Sequence, residues 1–562
     1  MILKNIILKL FILALCCFLT KTTTYAQCFN FDQNPKHEIR AVWLTTIGGL
    51  DWPKSYAQSS VSTERQKKEL TDILDKLQKA KINTVLFQTR IRGTVIYPSD
   101  IEPWDACITG IPDKKPSYDP LAFAIEECHK RGMEIQAWVV AIPMGKWNST
   151  GCRTLRKKHP SMLMKIGGYG YINPANEKAA VYISEICKEI TKKYDIDGIH
   201  FDYIRYPETW KPNISLYHAR NYITRIVKQT HDAVKSIKPW VKMSCSPIGK
   251  FDDLGRYSSR GWNAYNKGCQ DTREWLRLGL MDQLYPMMYF KDNQFYPFAM
   301  DWKENCYGKS IAAGLGLYFL SPKEGNWNKE DITRQMYVSR AAGLGFAMFR
   351  NKFLLENTKG ILDFIENDFN RYYALVPAIG YENKKRPNAP EWIKIKEDDR
   401  YEYIFWSNVT GDKGGVLYNV YASKNYPVDT EDAKNLIAVR LQRNELVLKK
   451  GNKMYYAVTA IDRYGNESYA VRSETPKNNT LAELAMIKNN GMTMVLPKKD
   501  KCLDAEYLIV KSLPGTIVAT LPYKGTHADI RGIQDGIYTI HSLNRKGVTH
   551  RLGFIIIKRK IK

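Results

Sequence analysis

Residues 197–207 read DGIHFDYIRYP, an apolar run interrupted by groups able to do acid–base work. Strand alternation puts His200 and Asp202 on one face and Ile199 and Phe201 on the other. The polar face must meet water, a partner charge or a substrate. A carboxylate beside Arg205, with Arg90 expected nearby, stays ionised, because a neighbouring cation favours the charged form. An ionised carboxylate suits a nucleophile or a base. The alternative is structural: Asp202 in an ion pair with Arg205 or Arg90 that braces the fold. His200 either tunes Asp202 or fills the interior. Asp197 opens the same run with opposite parity and reads as structural.

Similar groups recur where other strands should end. Gln88 and Arg90 close one run, and RIRGTVIYPSDIEPW follows with Arg92, Tyr97, Asp100, Glu102 and Trp104. Tyr289, Tyr318 and Arg350 end three later runs, while Asp51, Trp52, Asp252 and Asp253 sit in connecting loops. Rings stack on pyranose faces and charged groups bond hydroxyls, so this rim suits a sugar polymer. The substrate-binding set is therefore Arg90, Tyr97, Trp104, His200, Arg205, Tyr289, Tyr318 and Arg350. No clustered C-x-x-C or histidine spacing predicts a metal, and no cofactor is expected.

These residues need a frame. From residue 38 to about 370, short β-rich runs alternate with helical periodicity. The expected strands are 39–46, 82–90, 133–142, 197–205, 241–248, 282–290, 310–320 and 345–351. Helices are expected at 63–80, 119–131, 175–194, 216–237, 271–279, 295–307, 328–342 and 357–370. Ser62 or Thr63 opens the first helix, and Asp119-Pro120 caps the second. Eight such repeats define an α/β (β/α)8 TIM barrel, whose chemistry sits at the C-terminal strand ends. No G-x-G-x-x-G follows the first strand, which argues against a dinucleotide fold. A linker is expected at 373–387. Residues 388–476 resemble a fibronectin type III module, and 480–562 read as a second small all-β sandwich for sorting or packing.

The chain has 562 residues and a net charge of +26. That charge favours an acidic polymer or an anionic surface. Nucleic acid is excluded by the lack of an arginine-rich arm, zinc-finger spacing or RNA-binding signature. Residues 1–26 read as a signal peptide cleaved before Gln27, which predicts export to the periplasm, cell surface or medium. No later segment is long enough to span a membrane. Of 11 cysteines, two leave with the signal. Cys187 and Cys245 lie in apolar stretches and read as core thiols, while one or two disulfides elsewhere stay open. The sequence assigns no oligomeric state.

The runs FQTRIRGTVIYPSDIEPW, DGIHFDYIRYP, SPIGKF and LYPMMYF together resemble glycoside-hydrolase-like family ten of bacterial exported proteins, over about residues 37–370. The resemblance implies a (β/α)8 barrel (residues 27–372 as one catalytic domain) and O-glycosidic hydrolysis of a polysaccharide, such as peptidoglycan glycan strands or another acidic glycan. The family often carries two adjacent aspartates on strand four; here the second position is Tyr203. Glycoside hydrolysis takes two carboxyl groups, one protonating the leaving oxygen and one attacking carbon or activating water. Asp202 is one. Glu102, Asp100, Glu208, Asp252 and Asp253 are candidates for the other, with Glu102 assigned the acid role. If no second acid reaches Asp202, the alternative is a non-catalytic glycan-binding barrel.

Overall fold

The computed structural model describes residues 34–210, 212–379, 385–410, 414–473, 487–496, 505–512, 516–523, 526–544 and 549–559. The expected signal segment, residues 1–26, lies outside them. Eight parallel strands close into a barrel, each on an expected run. They are β1 (Arg40–Leu44), β2 (Thr84–Arg90), β3 (Glu134–Val140), β4 (Gly198–Asp202), β5 (Lys242–Cys245), β6 (Gln283–Leu284), β7 (Ser310–Gly316) and β8 (Gly345–Phe349). β1 pairs with both β2 and β8, which leaves no open edge.

Alternation sorts the side chains into two layers. Val42, Val85, Phe87, Ile199 and Phe201 pack outward against helical residues such as Leu70, Leu74, Ile183 and Ile223. Ala41, Trp43, Leu86, Trp138, Tyr285 and Ala347 fill the barrel. Each large apolar side chain so buried is worth roughly 1.5–3 kcal/mol. The interior also holds a polar net: Gln136 donates to Gln283 Oε1 at 2.8 Å and Ser244 donates to Gln136 Oε1 at 2.6 Å.

Capping decides where the flanking helices begin. The first, Ser60–Lys79, starts earlier than expected because Ser59 is its N-cap and Ser62 closes a capping box from the third position. Asp119 caps the second, Pro120–Lys130, accepting from the amides of Leu121 and Ala122. The last expected helix is broken into short pieces, Thr358–Gly360, Ile361–Phe364 and Ile365–Phe369. Between β3 and β4 the chain forms a three-stranded antiparallel sheet, Pro143–Lys146, Leu163–Ile166 and Tyr169–Ile172, that no sequence expectation covered. Its signal was present: Gly167 and Gly168, at φ +55° and +80°, make the two-residue turn that glycine pairs favour between strands.

Residues 373–379 of the expected linker are not loose. Leu375 bridges to His37, and Leu375, Val376 and Ile379 are buried: Val376 packs with barrel residues such as Trp43, and Leu375 packs against Tyr421, Leu436 and Ile461 further along the chain. A β-sandwich follows, with a three-stranded sheet (Ile393–Glu397, Tyr401–Trp406, Glu445–Lys449) and a four-stranded one (Leu436–Leu441, Val416–Ser423, Tyr455–Asp462, Val471–Arg472). Trp406, Tyr418, Val420 and Val458 form its core.

Barrel and sandwich belong to one compact unit, joined by buried charges at the lower end of the barrel. Arg440 donates to Glu134 at 3.0 Å and to Asp197 at 2.7 Å, and Arg463 donates to Asp195 at 2.9 Å. Asp197 is structural, as its parity implied.

Residues from 474 onward form a second unit. Its four-stranded antiparallel sheet runs in the order Ile517–Pro522, Ala505–Ser512, Gly536–Asn544, Thr549–Ile557. Val510, Ile540 and Ile555 lie in its core.

Among the described residues no helix is long and apolar enough to cross a membrane. Cys187 and Cys245 are buried free thiols, and the other described cysteines are also unpaired.

Candidate active site

A cleft of about 610 Å³ opens at the C-terminal strand ends. Of the carboxylates discussed above, Asp202 and Glu208 line it. Asp202 is the last residue of β4, opposite Val140 of β3, and its Oδ1 accepts the Tyr203 amide at 2.7 Å. Arg205 reaches both acids. Its Nη2 donates to Glu208 Oε1 at 2.9 Å, while its Nη1 stands 3.9 Å from Asp202 Oδ1, too far for a hydrogen bond. Two carboxyls sharing one guanidinium lie within the outer separation, roughly 9.5 Å, that glycoside hydrolysis uses. Arg205 Nε and Nη1 are buried with no hydrogen-bond partner among the described residues.

The two acids differ in surroundings. The Asp202 side chain is 11 % exposed and that of Glu208 is 35 % exposed. Burial raises Asp202 above the usual carboxylate range, although Arg205, the Tyr203 amide and the Trp138 indole pull it down. The sequence expectation ran the other way, because local spacing shows the arginine and not the desolvation that outweighs it.

Rings floor and wall the cleft. Tyr289 stacks on Phe349 at 5.6 Å between centroids and meets Tyr318 edge-on at 5.7 Å. Burial holds the Tyr289 hydroxyl well above its ordinary value, so it stays a proton donor. On the other side the inserted sheet contributes Tyr169 and Tyr171, and Gln88, Arg92 and Trp138 complete the wall. Gln88 Oε1 accepts the amides of Thr46 and Ile47, which holds it in place. Trp138 shares its inward parity with Gln136 and was legible from alternation. The inserted-sheet tyrosines were legible only through the Gly167-Gly168 turn.

Of the expected site residues, Asp202, Arg205 and Tyr289 converge on the cleft, with Tyr318 packed behind Tyr289. The others are placed elsewhere. Arg90 is fully buried and gives two hydrogen bonds to Glu102, at 2.8 and 2.7 Å, and another to the Val140 carbonyl. Tyr182 donates to the same Glu102 carboxylate at 2.6 Å. Glu102 therefore neutralises a buried arginine, and the acid role expected of it is not open to it. Tyr97 donates to Glu189 at 2.9 Å inside the helical layer, and Trp104 lies off the cleft, its backbone paired with Asp113. His200 is buried beneath the mouth between Ser244 and Ser246, and burial lowers it to about 3, so it is neutral filling. Arg350 sits 3.8 Å from Asp51, whose carboxylate is held by Thr45. Asp100 pairs with Lys193; Asp252 accepts from Asn263 and Asn266, and Asp253 from Ser259. Among the described residues no cluster of three histidines, cysteines or acids is placed to hold a metal.

Glu102→Gln should therefore weaken folding. It leaves Arg90 charged in the interior, a loss of about 3–5 kcal/mol. Urea unfolding reads this as a lowered midpoint; an unchanged midpoint would remove the bracing role.

A closed (β/α)8 barrel with paired acids and stacked rings at its mouth has the layout of a carbohydrate-active barrel. Residues 38–219 and 209–313 match the model of the family described as glycosyl hydrolase-like 10. The chain is 29 % identical over 494 residues to glycosyl hydrolase YngK of Bacillus subtilis, covering 80 % of this chain and 95 % of that protein. It is 32 % identical over 294 residues to glycosyl hydrolase DigH of Escherichia coli K12, covering 46 % of this chain and 67 % of the relative. This chain belongs to the glycosyl hydrolase-like 10 family. Among solved structures, the endo-beta-1,4-mannanase of Thermotoga petrophila aligns with a TM-score of 0.40 at 10 % identity, covering 78 % of this chain and 98 % of that one, a likeness too distant to bear on the site.

Proposed function

We propose that this protein is an exported glycoside hydrolase that cleaves O-glycosidic bonds in a polysaccharide, such as peptidoglycan glycan strands or another acidic glycan. The observation that carries this reading is the sharing of Arg205 by Asp202 and Glu208 on a ring-lined cleft. Asp202, buried and raised, suits the general acid that protonates the leaving oxygen. Glu208, more exposed and hydrogen-bonded to Arg205, suits the carboxylate that attacks the anomeric carbon or activates water. Tyr289 and Phe349 offer a stacking floor. A cleft with a single acid would favour the non-catalytic binding protein; the presence of Glu208 beside Asp202 on this cleft supports the hydrolase reading. The sandwich is read as a fibronectin type III-like module that serves placement.

The test is direct. Purified protein is incubated with peptidoglycan glycan strands and with plant and host polysaccharides, and products are analysed by mass spectrometry. Release of oligosaccharides with new reducing ends from at least one polymer is expected, and Glu208→Gln should stop it. Binding without any release, across the whole set, would favour the non-catalytic reading instead.

A further inference from the structure

Tyr203 stands one residue beyond Asp202, at φ +50°. For a bulky side chain that left-handed conformation is a genuine outlier. It is unfavourable and persists where the surroundings enforce it. Here it turns the chain sharply as it leaves β4. The turn sends the Tyr203 amide onto Asp202 Oδ1 and brings the Tyr203 ring 4.0 Å from the Arg205 guanidinium. A cation on a ring face is attracted by the ring quadrupole, most strongly where water is excluded, and Arg205 is buried. Held there, Arg205 bonds Glu208 and stops short of Asp202.

We propose that Tyr203 is a positioning residue: its ring holds the Arg205 guanidinium on Glu208 and away from Asp202. The strand-four position where an acid would sit in a two-aspartate arrangement thus acts on the remaining acids through the arginine. The other groups facing Asp202 leave this arrangement intact. They are Tyr289, beyond β6, and Cys245 on the adjacent β5, both driven up by burial and therefore neutral. Arg92 faces Tyr203 from the β2 side, and His200, two residues earlier on β4, is neutral.

The inference rests on reading Asp202 and Glu208 as the acting pair, but its test needs no turnover. The full-length protein is labelled with 13C at aspartate carboxyls, and the Asp202 signal is assigned by its loss in Asp202→Asn. Its titration midpoint is then followed by NMR. Tyr203→Leu keeps apolar bulk and removes the ring face, so Arg205 is free to close the 3.9 Å gap. A cation brought into contact lowers a carboxyl by about one to three units, and a fall of that size is expected. Tyr203→Phe, which keeps the ring, should leave the midpoint in place. In an Arg205→Ala background Tyr203→Leu should shift nothing, because the effect runs through the arginine. An equal fall in both backgrounds would mean that the ring acts by excluding water, and no fall in either would mean that it positions nothing. Both results overturn the proposal. Should Tyr203→Leu fail to fold, Tyr203→Met, which also removes the ring face and keeps apolar length, gives the same comparison against Tyr203→Phe. A failed titration leaves the hydrolase reading standing, and a failed polysaccharide screen leaves the titration result standing.

Discussion

Asp202→Asn is expected to lower turnover of a cleaved polysaccharide by about 10²–10⁴-fold, the usual contribution of a general acid. Asparagine keeps the shape and still accepts the Tyr203 amide that now bonds Asp202 Oδ1. It cannot deliver a proton to a departing sugar oxygen. The same role predicts that wild-type activity falls on the alkaline side, as Asp202 loses its proton, and that this fall moves with the titration of Asp202.

Stability should respond in the opposite sense to activity. Burial raises Asp202 in the folded protein. Between its unfolded value, near 3.9, and its higher folded value, the native state therefore binds the extra proton. Stability is present in full below that window and declines as pH rises through it. Asparagine carries no such penalty, so the variant should melt no lower than wild type at pH 7 and lose any advantage near pH 3.5. Calorimetry at both values reads this. A variant that unfolds, or that keeps wild-type turnover, would return Asp202 to the role of a bracing ion pair.

Arg440→Ala should be the most damaging single change outside the cleft. The sandwich inserts this side chain between Glu134 and Asp197 at the lower end of the barrel. Lys242 also serves Glu134, and His129 and Arg463 serve Asp197. Burial alone would raise Asp197, yet His129 and Arg440 hold it well below the usual carboxylate range. Removing Arg440 breaks two buried hydrogen bonds between charged groups, each worth about 1.5–3 kcal/mol. The sign follows from the depressed value. Asp197 contributes stability above its unfolded value near 3.9, and loses it as pH falls from there toward the folded value. The deficit of Arg440→Ala against wild type should thus be large at pH 7 and shrink below about pH 4. Denaturant midpoints at pH 7 and pH 3 check this. Equal deficits at both would mean that Arg440 contributes packing and not charge. For the same reason, trimming the chain at residue 388 should destabilise the barrel.

Local rules carried far along this chain. Each barrel strand is a short stretch whose apolar side chains need two buried faces, and that requirement is written in a short local run of sequence. Alternation likewise settled that Asp202 and His200 point inward and that Asp197 belongs at the opposite end. The tail strands, such as Gly536–Asn544 and Thr549–Ile557, fell on their expected runs for the same reason.

What residues meet across loops was not local, and there the tertiary structure decided. Arg90 and Glu102 are twelve positions apart with a turn between them, and either can face the cleft until the fold buries the pair together. Glu208 was one of five candidate acids until the path after Tyr203 brought it to Arg205, and that path depends on a backbone conformation no tyrosine prefers in isolation. The shift of Asp202 runs opposite to the expectation because desolvation is a property of everything packed around a group, whereas spacing reports only its nearest charged neighbour along the chain. The sandwich reads as a separate module by composition, since its strands are its own. That it shares buried charges with the barrel depends on Arg440, Glu134 and Asp197 meeting across 306 and 243 residues of chain, a contact energy that no local pattern encodes.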